Sequence, residues 1–191
     1  ENTRLDTGLS DLGRNVIERM NELGMIVDVS HSSPETISDV LDVTSKPILN
    51  SHSGSRVIAN KQQNLWDEQI QELSDNGGIL AIHFCSRLVL GVDDKQSTIP
   101  DVISQIKYVK NKGGIDLIGL GPDWILGDAE RDEKYMHNTD QETITWTKCL
   151  EDSSRIKNLI PQLQLAGFSE QEIDRILYLN MQRLFKAVLP S

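Results

Sequence analysis

The chain has 191 residues, enough for one domain over 1–191 with a sizeable core. Its net charge of -10 argues against nucleic acid or an anionic membrane surface as the main partner. No apolar run reaches the roughly eighteen residues of a spanning helix.

Cys85 and Cys149 make neither a disulfide framework nor a zinc knuckle; they read as free thiols or as a single disulfide. The chain starts with Glu1 rather than methionine, which is compatible with a processed or trimmed start. Composition leaves the compartment open between cytoplasmic and periplasmic or extracellular.

Ser10 is placed to cap a helix over Asp11 to about Glu22, with Leu12, Val16, Ile17 and Met20 as its apolar stripe. Gly24 ends it, and 25–30 reads as a strand. Ser33 and Pro34 open a second helix as cap and first position, closing near Val43. A second strand is expected over 47–51, then a polar loop over 53–63.

A third helix is expected over Leu65 to Ser74, stopped by Asn76-Gly77-Gly78, with strand Ile79–Phe84 after it. Residues 86–98 read as loop. A fourth helix runs from near Pro100 to about Lys110, and Ile115–Leu120 is a fourth strand. Residues 124–145 form a long acidic loop, placed to lie over one end of the sheet.

Ser153 or Ser154 starts a helix to about Leu165, which Pro161 can kink. Ser169 and Glu172 form a capping box for Gln171–Leu177, and Asn180 is placed to cap a last helix. Helix and strand alternate four times, the pattern of a mostly parallel α/β sheet.

Two of the strands end in histidine: Val27-Asp28-Val29-Ser30-His31 and Ile48-Leu49-Asn50-Ser51-His52. Carboxyl ends of parallel strands are where α/β proteins place chemistry. Neutral imidazole is a good zinc ligand, so His31 and His52 are a candidate metal pair. The alternative is two histidines with local hydrogen bonds.

Asp28 is positioned to orient a ligand or to cap its own loop. Asp123, just past the fourth strand, can take a proton or a substrate ammonium, or simply form a turn after Pro122. His83 is near a strand end and is a candidate substrate contact. Arg56 offers a fork for a carboxylate, or a surface ion pair. Ser51 and Ser30 adjoin the histidines, but neighbours on a straight strand point to opposite faces, which disfavours a nucleophile–base pair. There is no dinucleotide fingerprint, Walker loop or nucleophile elbow.

Gly24 to His31, then Lys46 to Ser53, resemble the membrane (renal) dipeptidase family of zinc metallopeptidases. Asn64 to Ile70, Asn76-Gly77-Gly78, Gly114 to Asp123 and the tail from Ser169 to Leu189 continue the likeness over nearly the whole chain. The resemblance implies a (β/α)8 TIM-type barrel with two zinc ions that hydrolyses dipeptides.

In that frame His31 and His52 hold one zinc, and Asp123 is catalytic or binds substrate. Asn64 belongs with Arg56 and His83 among substrate-binding candidates, and Asp28 stands behind the ligands. The family's His-x-Asp ligand pair and bridging glutamate have no counterpart here. Four βα units plus C-terminal helices match the second half of such a barrel.

Three further departures stand out. Gln63-Asn64 replaces an Arg-Asn whose arginine helps hold substrate. Tyr178-Leu179-Asn180 replaces Gly-Gly-Asn, and Asp123-Trp124-Ile125-Leu126-Gly127 replaces Asp-Phe-Asp-Gly.

Two functions follow as expectations. One is a partial zinc dipeptidase that completes its site with an N-terminal half or another copy. The other is a non-catalytic half-barrel that pairs with another chain through its open sheet edges.

Overall fold

The computed structural model describes residues 7–124 and 145–190. All but two residues of the acidic loop expected over 124–145 therefore lie outside the described residues. Helix α1 spans Asp11–Leu23. The Ser10 side chain accepts from Gly13 N, and Gly24 closes the helix in the left-handed region. Helix α2 spans Pro34–Val43, with Ser33 accepting from Thr36 N.

Strand β1 (Leu49–Ser53), helix α3 (Asp67–Asp75) and strand β2 (Ile79–Ile82) make a βαβ unit. Helices α4 (Ser86–Leu90) and α5 (Ile99–Gly113) lead to strand β3 (Ile118–Leu120). The three strands are parallel in the order β1-β2-β3.

The strand expected over 25–30 is reduced to one parallel bridge, Asp28 to Leu49. Two hydrogen bonds flank it, Val29 N to Leu49 O (2.8 Å) and Leu49 N to Val27 O (2.9 Å). The Asp28 carboxylate cuts the ladder short, because it takes the next N–H groups, Ser30 N and Ser51 N.

Three other expectations change. Residues 86–98, expected as loop, contain α4, which Gly91 ends with a left-handed residue. Residues 115–117 form a 3-10 turn ahead of a shortened strand. The helix expected from Ser153 begins as a 3-10 turn (Ser153–Asn158), and α6 follows over Leu159–Leu165 with Pro161 in its first turn.

The Ser169–Glu172 capping box opens α7 (Glu170–Asp174). A π turn over Arg175–Leu179 then continues into α8 (Asn180–Val188). Asn180 is not a cap. It is buried, and its amide donates to Ile115 O (2.7 Å) and Ile118 O (2.9 Å).

The strands bury both faces. Ile48, Leu80, Ile82 and Ile118 pack with Ile70 and Leu73 of α3 and Val102, Ile106 and Val109 of α5. Each such fully buried side chain contributes about 1.5–3 kcal/mol. On the other face Ile79 and Ala81 meet Leu184 and Val188 of α8. Arg183 of α8 donates to Gly77 O and to Asp116 O (2.9 Å), so α8 closes the amino ends of the strands. The carboxyl ends are left for the site.

Cys85 (buried) and Cys149 (exposed) are both free thiols. Among the described residues no helix is long and apolar enough to cross a membrane.

Candidate metal and catalytic site

β1 pairs Asn50 with Leu80 but Ser53 with Ile82, so one extra residue of β1 bulges out at Ser51–His52. That bulge aims the site. By straight alternation from Leu49, which packs on the Ile79 face, His52 would point to the opposite face. The extra residue reverses the alternation, and His52 meets His83 with ring centroids 5.6 Å apart. It also brings Ser51 Oγ to 2.9 Å from His52 Nδ1. The expectation that adjacent serine and histidine point apart therefore fails here.

His31 sits where the Asp28 bridge breaks into a turn, at φ 63°. A non-glycine residue in the left-handed region is strained, and such strain clusters at functional sites. Its Nε2 lies 2.7 Å from His52 Nε2. Gln63 Nε2 lies against the His31 ring, 2.6 Å from Nδ1 and 3.2 Å from Nε2, and Ser51 Oγ faces His52 Nδ1. The two Nε2 atoms thus converge on one point, and Ser51 holds the His52 ring from behind. Partial burial pushes His31 below the ordinary histidine range, and the neighbouring His52 adds to this.

Asp123 follows β3 through Gly121 and Pro122 and is also left-handed, φ 59°. Its Oδ2 is 3.4 Å from His83 Nε2 and 3.9 Å from His52 Nε2. The hydrogen bond with His83 is the main cause that holds this carboxyl below the usual range. His83 is buried and stacks on Trp146 at 5.9 Å. Cys85 N donates to its Nδ1 (2.7 Å), which leaves the proton on Nε2, facing Asp123.

Burial dominates His83 and keeps it neutral, below the ordinary histidine range. The unfolded chain then takes up a proton near pH 6.5 that the folded chain refuses. More protons bound in the unfolded state means stability rises with pH. We expect stability to be full above about pH 6.5 and to fall as pH drops toward the lowered folded value. Denaturation midpoints between pH 7.5 and 5 check this. His83→Gln flattens the slope, leaving the part due to His31. An equal slope in that variant shows that His83 does not carry it.

Asp28 touches neither imidazole. Burial pushes its carboxyl up, but hydrogen bonds from Ser51 and Ser30 outweigh that and hold it low. It reaches the His52 ring through Ser51. Ser30 Oγ extends this network to Ser51 Oγ (3.1 Å) and accepts from His52 N (3.1 Å).

The other substrate-binding candidates have local partners. The Arg56 guanidinium lies 4.5 Å over the Trp66 ring, and its Nε donates to Asn60. Asn64 is buried, and its amide donates to Ala59 O and Leu88 O, which pins the 54–65 loop. Residue patterning missed three contributors. Ser51 is visible only once the bulge is known, Gln63 stood out only as a departure, and Trp146 carried no signal.

The donor set fits a borderline divalent cation such as zinc as a pair of imidazole ligands. Among the described residues no group of three or more His, Cys, Asp or Glu is arranged to hold a metal ion.

The fold matches several solved structures. One is a metallopeptidase from Rhodobacter sphaeroides, liganded with a phosphinate mimic of the dipeptide L-Ala-D-Ala. Its TM-score is 0.80 at 20% identity, over 95% of this chain and 47% of that one. Another is an amidohydrolase from Pseudomonas aeruginosa, with TM-score 0.81 at 25% identity, over 95% and 58%.

Dipeptidase tcpJ of Claviceps purpurea is 31% identical over 95% of this chain and 39% of its own length. An uncharacterized dipeptidase of Schizosaccharomyces pombe is 30% identical over 95% and 40%. The chain thus spans about two-fifths of the length of these curated relatives. The family model described as membrane dipeptidase (peptidase family M19) matches residues 1–189. With an α/β fold shared with metallopeptidase structures and this match along its length, the chain belongs to the membrane dipeptidase family, M19.

Proposed function

We propose that this chain contributes four βα units, the carboxyl-terminal half of a (β/α)8 barrel, to a zinc-dependent dipeptidase. The observation that carries the reading is the convergence of His31 Nε2 and His52 Nε2 at 2.7 Å, beside Asp123. His31 and His52 hold one zinc ion. A bound zinc supplies a Lewis acid that polarises a peptide carbonyl and lowers the pKa of water.

The chain's own residues do the rest. Asp123, kept ionised by His83, accepts a proton or holds the substrate ammonium. His83 fixes the carboxylate through its Nε2 proton. Asp28, through Ser51, steadies His52. The substrate is a small dipeptide, the class mimicked by the ligand of the Rhodobacter neighbour.

Two imidazoles fall short of the three or four protein ligands zinc prefers. The 191 residues alone are therefore expected to hydrolyse an alanyl dipeptide weakly or not at all. Activity should rise when an amino-terminal half is supplied as a second chain. In that assembly Asp123→Asn is expected to lower the rate by about 10²–10⁴-fold with zinc content unchanged. Full activity from this chain alone overturns the half-site reading, and an unchanged rate in Asp123→Asn overturns that residue's role.

A further inference from the structure

The bulge in β1 sets Ser51 beside His52, so that Ser51 Oγ lies 2.9 Å from His52 Nδ1. A hydroxyl has a single hydrogen to give, and a neutral imidazole has one N–H and one lone pair. Which of the two donates at this contact follows from the groups further out.

The buried Asn50 fixes the direction. Its Oδ1 carries no hydrogen and accepts from Ser30 Oγ at 3.0 Å. Ser30 Oγ accepts in turn from the backbone N–H of His52 at 3.1 Å. With its own hydrogen given to Asn50, Ser30 Oγ can only accept at its 3.1 Å contact with Ser51 Oγ. The Asp28 carboxylate, which also holds the Ser51 side chain, is an acceptor as well. By either route the Ser51 hydrogen points away from His52. Ser51 Oγ then accepts from Nδ1–H, and His52 Nε2 carries the lone pair. At the 2.7 Å contact between the two Nε2 atoms, His31 is therefore the donor.

We propose that Ser51 is a positioning residue for His52, whose hydroxyl accepts from Nδ1–H and keeps Nε2 ready for a divalent cation before one is bound. This rests on His52 being a ligand, the reading given above. Ser30, Asn50 and Asp28 act behind Ser51 by fixing where its hydrogen goes. His52 meets the cation with no proton to move, whereas His31 has to give up the one on its Nε2.

The test uses the full chain, with Zn2+ as the probe. Nitrogen-15 NMR reads the His52 tautomer, and chelator competition reads affinity. In the native chain the His52 proton is expected on Nδ1 both without Zn2+ and with it. Ser51→Ala removes the acceptor at Nδ1. Its cation-free His52 is expected to shift toward the Nε2–H form, and Zn2+ to bind about 10–100-fold more weakly, as on losing an outer partner of a metal-bound histidine. Ser51→Thr keeps the hydroxyl and is expected to restore both the Nδ1–H form and the native affinity. A His52 proton on Nε2 in the cation-free native chain overturns the proposal.

His52→Ala separates the two readings. If it loses Zn2+ while Ser51→Ala binds normally, the role of Ser51 is overturned and the metal pair stands. If His52→Ala binds Zn2+ like the native chain, the metal pair fails, and this inference fails with it.

Discussion

Gly121→Ala is expected to destabilise the fold by about 2–3 kcal/mol, the upper part of the range for forcing an extra methyl into a packed interior. A Cβ at Gly121 would overlap the backbone carbonyl of Ser51 and come within 2.9 Å of the Ala81 Cβ. Ser51 is on β1 and Gly121 follows β3, with β2 between them. In a flat sheet, strands two apart are separated by about 9–10 Å. Their contact here means the three strands curl sharply at their carboxyl ends.

Gly121 is where that curl closes, and backbone cannot yield as a side chain does. Its N–H donates to Ile82 O at 3.0 Å, so displacement also strips a ladder bond and moves Asp123 two residues on. Gly119→Ala is the control. Its Cβ meets the flexible Ile79 Cγ2 at 2.9 Å, so a loss nearer 1 kcal/mol is expected. Urea denaturation of both variants checks the ranking. If Gly121→Ala is no worse than Gly119→Ala, the sheet is not closed at this point.

What was legible in the sequence was local. Ser10 and Gly24, Ser33-Pro34, and Ser169 with Glu172 mark helix ends in the structure, because caps are made within a few residues. Strand limits were less legible, since a strand exists only through its partner. The first one shrank to a single bridge once the Asp28 carboxylate took backbone donors from two segments.

Asn180 has the residue type of a cap, but its amide is spent on carbonyls more than sixty residues away. The site was half legible for the same reason. Histidine at two strand ends is a sequence fact. That His52 faces inward at all depends on a bulge whose only sign is a register mismatch with β2. The αL backbone at His31 and Asp123 likewise has only a weak residue signal, because histidine and aspartate are enriched there among non-glycine residues but most of them lie elsewhere.

That backbone strain yields the sharpest separation of site from scaffold. Removing the His31 imidazole while also relieving the left-handed backbone is expected to lower cation affinity and raise stability together. His31→Gly deletes the imidazole and also relieves a left-handed residue that costs about 1–2 kcal/mol in an L-amino acid. Glycine's extra unfolded entropy returns about 0.5–1 kcal/mol of that. A net gain of about 0–1.5 kcal/mol remains, seen as a melting temperature higher by up to about 3–6 °C.

His31→Ala deletes the same imidazole but keeps the strain, so its melting temperature is expected to stay level or drop. Both variants are expected to lose Zn2+ affinity by more than the roughly 100-fold that losing an outer partner costs, because the donor itself is gone. Calorimetric melting beside chelator competition reads both quantities on the same samples. A structural histidine gives a different result: His31→Gly then leaves Zn2+ affinity at the native value. A His31→Gly that melts no higher than His31→Ala shows that the strained turn is not what holds the ring toward His52. Loss of zinc together with a gain in stability marks His31 as a residue held in place for chemistry, at the expense of the fold.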